Sequence, residues 1–65
     1  MRIEVNGEVR EVTATTVAAA LTELGFATAR VATALNGTFV PKAARSTTPL
    51  TAGDRLEVLA PMQGG

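Results

Sequence analysis

Polar and apolar residues alternate from the start of this chain, with Met1, Ile3 and Val5 set against Arg2 and Glu4. A period of two marks a strand with one buried face. Asn6-Gly7 comes next, and both residue types tolerate the positive φ of a type I′ turn, so the chain is expected to double back as a hairpin. Glu8 to Thr13 then reads as the return strand. Its valines, Val9 and Val12, stand three apart and cannot share a face of a regular strand, which predicts either a bulge or an early strand end. After Thr15-Thr16 the period changes. Val17, Ala20, Leu21 and Leu24 fall at i, i+3, i+4 and i+7, the apolar stripe of a helix. Thr16 is placed to cap its N-terminus through the hydroxyl, and Gly25 to end it in the left-handed conformation. A helix of about two turns does not persist alone in water, so it must pack on the sheet.

The second half repeats the hairpin pattern. Val31 to Leu35 reads as a third strand, Asn36-Gly37 as a second tight turn, and Thr38-Phe39-Val40 as a short return strand. Pro41 lacks a backbone donor and places that return strand at a sheet edge or at its end. Lys42 to Pro49 is a polar connection with room for a single helical turn. Leu50 to Asp54 is a turn, with Asp54 read as a turn device. In the final strand Leu56 and Val58 are assigned to the core and Arg55 and Glu57 to the opposite side. One helix covers only one face of such a sheet, so the other face must stay polar or meet a partner.

Composition narrows the chemistry. Sixty-five residues make one domain, which buries only about 60% of the surface of its unfolded chain. There is no Cys, His, Trp or Tyr. Disulfides, thiolate metal sites and the commonest general base are therefore excluded, and no acid–base pair or metal site suggests an enzyme. Six basic and six acidic residues are scattered and cancel, giving no basic stripe for nucleic acid. No apolar run approaches the ~18 residues of a membrane span. The expected location is the cytoplasm.

One piece of chemistry remains. The sequence ends Pro61-Met62-Gln63-Gly64-Gly65, just after the last predicted strand. Five extended residues reach roughly 17 Å. Glycines without side chains let a backbone enter a narrow channel, and a terminal carboxylate with a pKa of about 3.3–3.7 is ionised at neutral pH. This segment is expected to be a flexible tail whose end is the reacting group.

Taken together, several segments carry a family likeness: Val5-Asn6-Gly7, Thr16-Val17 with Leu21, Ala34-Leu35-Asn36-Gly37, Val40-Pro41-Lys42, Gly53-Asp54-Arg55-Leu56-Glu57-Val58 and the final Gly64-Gly65. In this order and spacing the chain resembles the sulfur carrier proteins of thiamine biosynthesis, the ThiS family. The resemblance implies an α+β fold of the ubiquitin-like β-grasp type. This is a mixed four- to five-stranded sheet with one main helix on one face and the first and last strands side by side and parallel. Residues 1–60 would form the domain and residues 61–65 the tail. The family pattern places an aromatic a few residues after Val-Pro and a basic residue. Ala43-Ala44-Arg45 supplies none, so contacts of that ring are not carried over.

The resemblance also implies a cycle run by other proteins. An adenylating enzyme related to ubiquitin-activating enzymes would use ATP and magnesium to convert the Gly65 carboxylate to an acyl-adenylate. A sulfur donor such as a cysteine desulfurase would then supply the sulfur of a thiocarboxylate, and thiazole synthase would take it up. On this resemblance Gly65 would be the site of adenylation and thiocarboxylation and Gly64 would give access, with Met62, Gln63 and Lys42 as candidate partner contacts. The chain itself is expected to bind no cofactor and no metal. Alternatives are the small subunit of molybdopterin synthase, to whose Pro-containing approach Ala60-Pro61 is similar, a carrier for amino-acid synthesis, and a β-grasp interaction module with an inert tail.

Overall fold

The computed structural model describes residues 1–27 and 30–60. Strands β1 (Arg2–Val5) and β2 (Glu8–Glu11) form the first hairpin, followed by helix α1 (Val17–Glu23). Strands β3 (Ala32–Leu35) and β4 (Thr38–Val40), a 3₁₀ helix (Lys42–Thr47) and strand β5 (Arg55–Leu59) complete the order. The sheet runs β2-β1-β5-β3-β4, so the last strand of the chain is its central one. β1 and β5 are parallel, and every other neighbouring pair is antiparallel. This is the β-grasp arrangement, with five strands.

Local chemistry explains the elements. Asn6 and Asn36 both sit at φ 51°, and Gly7 and Gly37 at φ 85°, so both hairpins turn on two left-handed residues as a type I′ turn requires. The Thr16 side chain accepts the Ala19 N–H at 3.2 Å and caps α1. At the other end, Gly25 has φ 94°; its N–H donates to Thr22 O at 3.2 Å and the Phe26 N–H to Leu21 O at 2.7 Å. Those two bonds define a Schellman motif, which satisfies carbonyls that the helix leaves unpaired. Val17, Ala20 and Leu21 point from α1 into a core of Ile3, Val5, Val12, Leu50, Leu56 and Val58.

Of the two expectations for the return strand, the early end is the one the structure shows. The strand ends at Glu11 rather than Thr13, and its register with β1 runs without a bulge. The Val12 N–H makes the last bond to the β1 side, on Met1 O at 2.8 Å, and beyond it the backbone bonds to α1. The Glu23 carboxylate accepts the Thr13 N–H at 2.9 Å and the Ala14 N–H at 3.0 Å, so these amides bond to a helix instead of a strand. Strand alternation puts Val12 in the core and leaves Val9 63% exposed on the far face. The connection after Pro41 is also more ordered than a single turn, forming six residues of 3₁₀ helix. Asp54 is a turn device as expected: its carboxylate accepts the Thr51 N–H at 2.8 Å and the Thr51 hydroxyl at 3.1 Å.

Candidate functional site

β5 leads toward residues 61–65, so what fixes β5 fixes the end of the described chain from which they continue. The parallel ladder with β1 includes the Glu4 N–H on Asp54 O (2.9 Å), the Asn6 N–H on Leu56 O (3.1 Å) and the Gly53 N–H on Arg2 O (2.8 Å). Beyond Asn6 the β1 backbone turns away. The Asn6 side chain continues the ladder: its amide donates to Val58 O at 3.0 Å and accepts the Val58 N–H at 2.8 Å. A side-chain amide here does the work of one more peptide unit. Asn36 holds the start of the same strand, accepting the Arg55 N–H at 2.9 Å and donating to the Asp54 carboxylate at 3.0 Å. The Thr51 N–H, then the Asn36 amide, hold the Asp54 carboxyl below its ordinary pKa.

Alternation along β5 sends Leu56 and Val58 into the core and Arg55, Glu57 and Leu59 to the uncovered face, in agreement with the sequence reading for the first four. On that face the register sets Leu59 opposite Ala32, and Ala34 opposite Phe39. Phe39 is 66% exposed and Leu59 65%. Two small alanines thus lie between two large exposed apolar residues, and the patch ends beside Ala60, the last of the described residues. Glu57, opposite Ala34, borders it, and the opposed Glu4 and Arg55 lie beyond.

The helical side carries a second feature. A groove of about 760 Å³ opens between α1 and the 3₁₀ helix, lined by Leu21, Phe26 and Val31 and by three cations, Arg30, Lys42 and Arg45. Arg45 is half-buried and fixed: its Nε donates to Thr33 Oγ1 at 3.1 Å and its Nη2 to Val31 O. The Thr33 hydroxyl, itself buried, donates to Val40 O at 2.8 Å. Lys42 stands exposed at the first position of the 3₁₀ helix. Arg30 and Val31 also line a smaller apolar groove with Ala32, Leu59 and Ala60, so the basic groove adjoins the tail root.

Of the residues assigned a function from sequence, only Lys42 lies among those described, and it falls in this groove. Met62, Gln63, Gly64 and Gly65 lie outside the described residues. The Asn-Gly pairs are legible in sequence as turn formers alone, and no local pattern marks Arg45. The Asn6 bond to β5 spans 52 residues, and no local pattern signals it. Among the described residues, no group of three or more His, Cys, Asp or Glu could hold a metal ion, and no helix is long and apolar enough to cross a membrane.

A five-stranded mixed sheet with one covering helix and parallel terminal strands defines a β-grasp domain. The sequence model of the ThiS family matches residues 3–65, and the chain belongs to that family. It is similar to the crystal structure of the thiamine biosynthesis protein ThiS from Geobacter metallireducens, with 33% identity over the whole of both chains and a TM-score of 0.84. It is likewise similar to a solution structure of a thiamine biosynthesis protein from Geobacter metallireducens, with 32% identity, all of this chain and 88% of that one covered, and a TM-score of 0.78. Comparison with curated protein sequences finds no match.

Proposed function

We propose that this protein is a sulfur carrier of thiamine biosynthesis, acting in the cytoplasm as a protein substrate rather than as an enzyme. The observation that carries the reading is the ThiS family match over residues 3–65, which takes in Gly64-Gly65. The two similar thiamine biosynthesis proteins support it.

In this reading the Gly65 carboxylate attacks the α-phosphate of ATP on an adenylating enzyme related to ubiquitin-activating enzymes, and pyrophosphate leaves. Magnesium and the positioning of both reactants belong to that enzyme. The mixed anhydride has a good leaving group, whereas a carboxylate has none. Hydrosulfide attack on the acyl carbon expels AMP and leaves a thiocarboxylate. A persulfide donor such as a cysteine desulfurase does the same through an acyl disulfide, whose S–S bond a thiol then reduces. The thiocarboxylate sulfur passes to thiazole synthase. This chain contributes an ionised terminal group, side-chain-free access at Gly64, and a globule that holds the tail root in place. Met62 and Gln63 are proposed to contact the channel that receives the tail. The Phe39–Leu59 patch at the tail root is the face on which the globule docks, since apolar surface next to the reacting segment is what a partner would cover.

ATP–pyrophosphate exchange catalysed by the cognate adenylating enzyme tests this. The protein ending at Gly65 is expected to support exchange, and a variant with one alanine appended after Gly65 is expected to support none. Equal exchange by both would refute a reacting Gly65 carboxylate.

A further inference from the structure

We propose that the groove between α1 and the 3₁₀ helix receives an acidic, partly apolar segment of the adenylating enzyme, with Arg30 and Lys42 pairing its carboxylates around the fixed guanidinium of Arg45. The proposal rests on the carrier reading above.

Three observations lead there. First, charge is concentrated in the groove although the chain is neutral overall. Three of the six basic residues line it, and none of the six carboxylate residues does. Elsewhere the signs are mixed: Arg2 pairs with Glu11 at 3.6 Å, and Arg55 lies opposite Glu4 in the sheet register. Second, Arg45 is a half-buried cation whose hydrogen bonds go to neutral oxygens, and among the described residues no carboxylate pairs with it. Its remaining N–H groups are held in one orientation beside the groove. A guanidinium already ordered by two hydrogen bonds loses less freedom when it pairs with a carboxylate, which favours a charge-assisted contact there. Third, the groove shares Arg30 and Val31 with the surface at the tail root. A protein that takes in the tail therefore lies within reach of it.

The walls choose between anions. Phe26 and Val31, both partly exposed, offer apolar surface that a phosphate group cannot use, while a peptide bearing both Asp or Glu and an apolar side chain uses both kinds of wall. A nucleic acid would need a basic surface extending beyond one groove, and the neutral chain supplies no long-range attraction for a polyanion.

The test measures adenylation of the full chain by the cognate enzyme across a range of ionic strength. Arg30 and Lys42 are exposed, and neither joins an ion pair among the described residues, so Arg30→Glu/Lys42→Glu is expected to keep the fold, checked by thermal melting. For the double variant, the KM for the carrier should rise about tenfold at low salt with kcat unchanged, and the salt dependence seen with the wild type should disappear. The charge-keeping Arg30→Lys/Lys42→Arg variant should restore both. A double variant with wild-type KM and salt dependence would overturn the proposal while leaving the carrier reading intact. Saturable binding of inorganic phosphate to the free protein, lost in the double variant, would assign the groove to phosphate and also overturn it. If the wild type is not adenylated at all, the carrier reading fails and this inference goes with it.

Discussion

Asn6 shows how one side chain extends a sheet. Its amide pairs with both the N–H and the C=O of Val58, so the central strand stays bonded past the point where β1 turns away. Replacing it with alanine removes two hydrogen bonds worth about 0.5–1.5 kcal/mol each, and Asn6→Ala should lower stability by about 1–3 kcal/mol. Hydrogen exchange at the Val58 amide should accelerate more than at Leu56, whose side of the ladder rests on backbone contacts. Glu23 is a second case. A carboxylate in the last turn of a helix faces the negative end of the dipole, yet here it captures the Thr13 and Ala14 amides. Those bonds, the Thr13 N–H first, hold its pKa below the ordinary value, as the Thr51 N–H does for Asp54. A lowered folded pKa means stability that is full above the unfolded carboxylate range of about 3.9–4.3 and is lost as pH falls through the folded values. Denaturation between pH 5 and pH 2 should therefore be shallower in Glu23→Gln than in the wild type, with the difference vanishing at the acid end. Equal pH profiles would show that Glu23 is not linked to folding. The turn role of Asn6 was legible because Asn-Gly is a local signal. Its reach to Val58 was not, because a bond across 52 residues leaves no mark on neighbouring positions.

At the level of elements, the legible ones are those with periodicity and local stop signals. α1 shows a four-residue apolar stripe between a threonine cap and a glycine end, and the structure places Thr16 and Gly25 in those roles. Thr16→Ala should cost about 1 kcal/mol through the lost cap bond to the Ala19 N–H. Gly25→Ala should cost about 1 kcal/mol because an L side chain resists φ 94°, although no atom lies within 4 Å of the added Cβ. Urea midpoints of the two variants measure both. The 3₁₀ helix is longer than the single turn read from sequence, for a physical reason. Lys42 to Thr47 carries no apolar stripe and none of its residues is buried, so hydrophobic pattern has nothing to report. Arg45 fastens it instead, through polar bonds to Thr33 and Val31 that only the assembled sheet supplies. Beyond β2, the Val12 N–H makes the last bond to the β1 side, on Met1 O, and the Thr13 N–H, on the free edge, bonds the Glu23 carboxylate of α1.

The whole molecule is a thin core under one helix, closed by a strand that arrives last and sits in the middle. Leu56 is fully buried there. Leu56→Ala should cost about 2–5 kcal/mol, against a total stability of about 3–10 kcal/mol for a chain of this size, and should leave much of the protein unfolded by circular dichroism. Phe39 and Leu59 lie on the opposite face, and changing either to Asp should move stability by about 0.5 kcal/mol or less while raising the KM of adenylation. That contrast separates residues that hold the fold from residues that meet a partner. The sheet with one open face was readable from alternation and a single helix. The grouping of Phe39, Ala34, Ala32 and Leu59 beside the tail root was not, since it depends on which strands become neighbours. The claim that joins these scales is that the globule presents Gly65 for sulfur loading. Intact mass spectrometry after incubation with the cognate adenylating enzyme, magnesium, ATP and sulfide tests it most directly. The account predicts a mass gain of one sulfur-for-oxygen exchange, mapped to the terminal peptide and reversed by mild hydrolysis. An unchanged mass in the presence of active enzyme, or a sulfur gain mapped anywhere else, would contradict it.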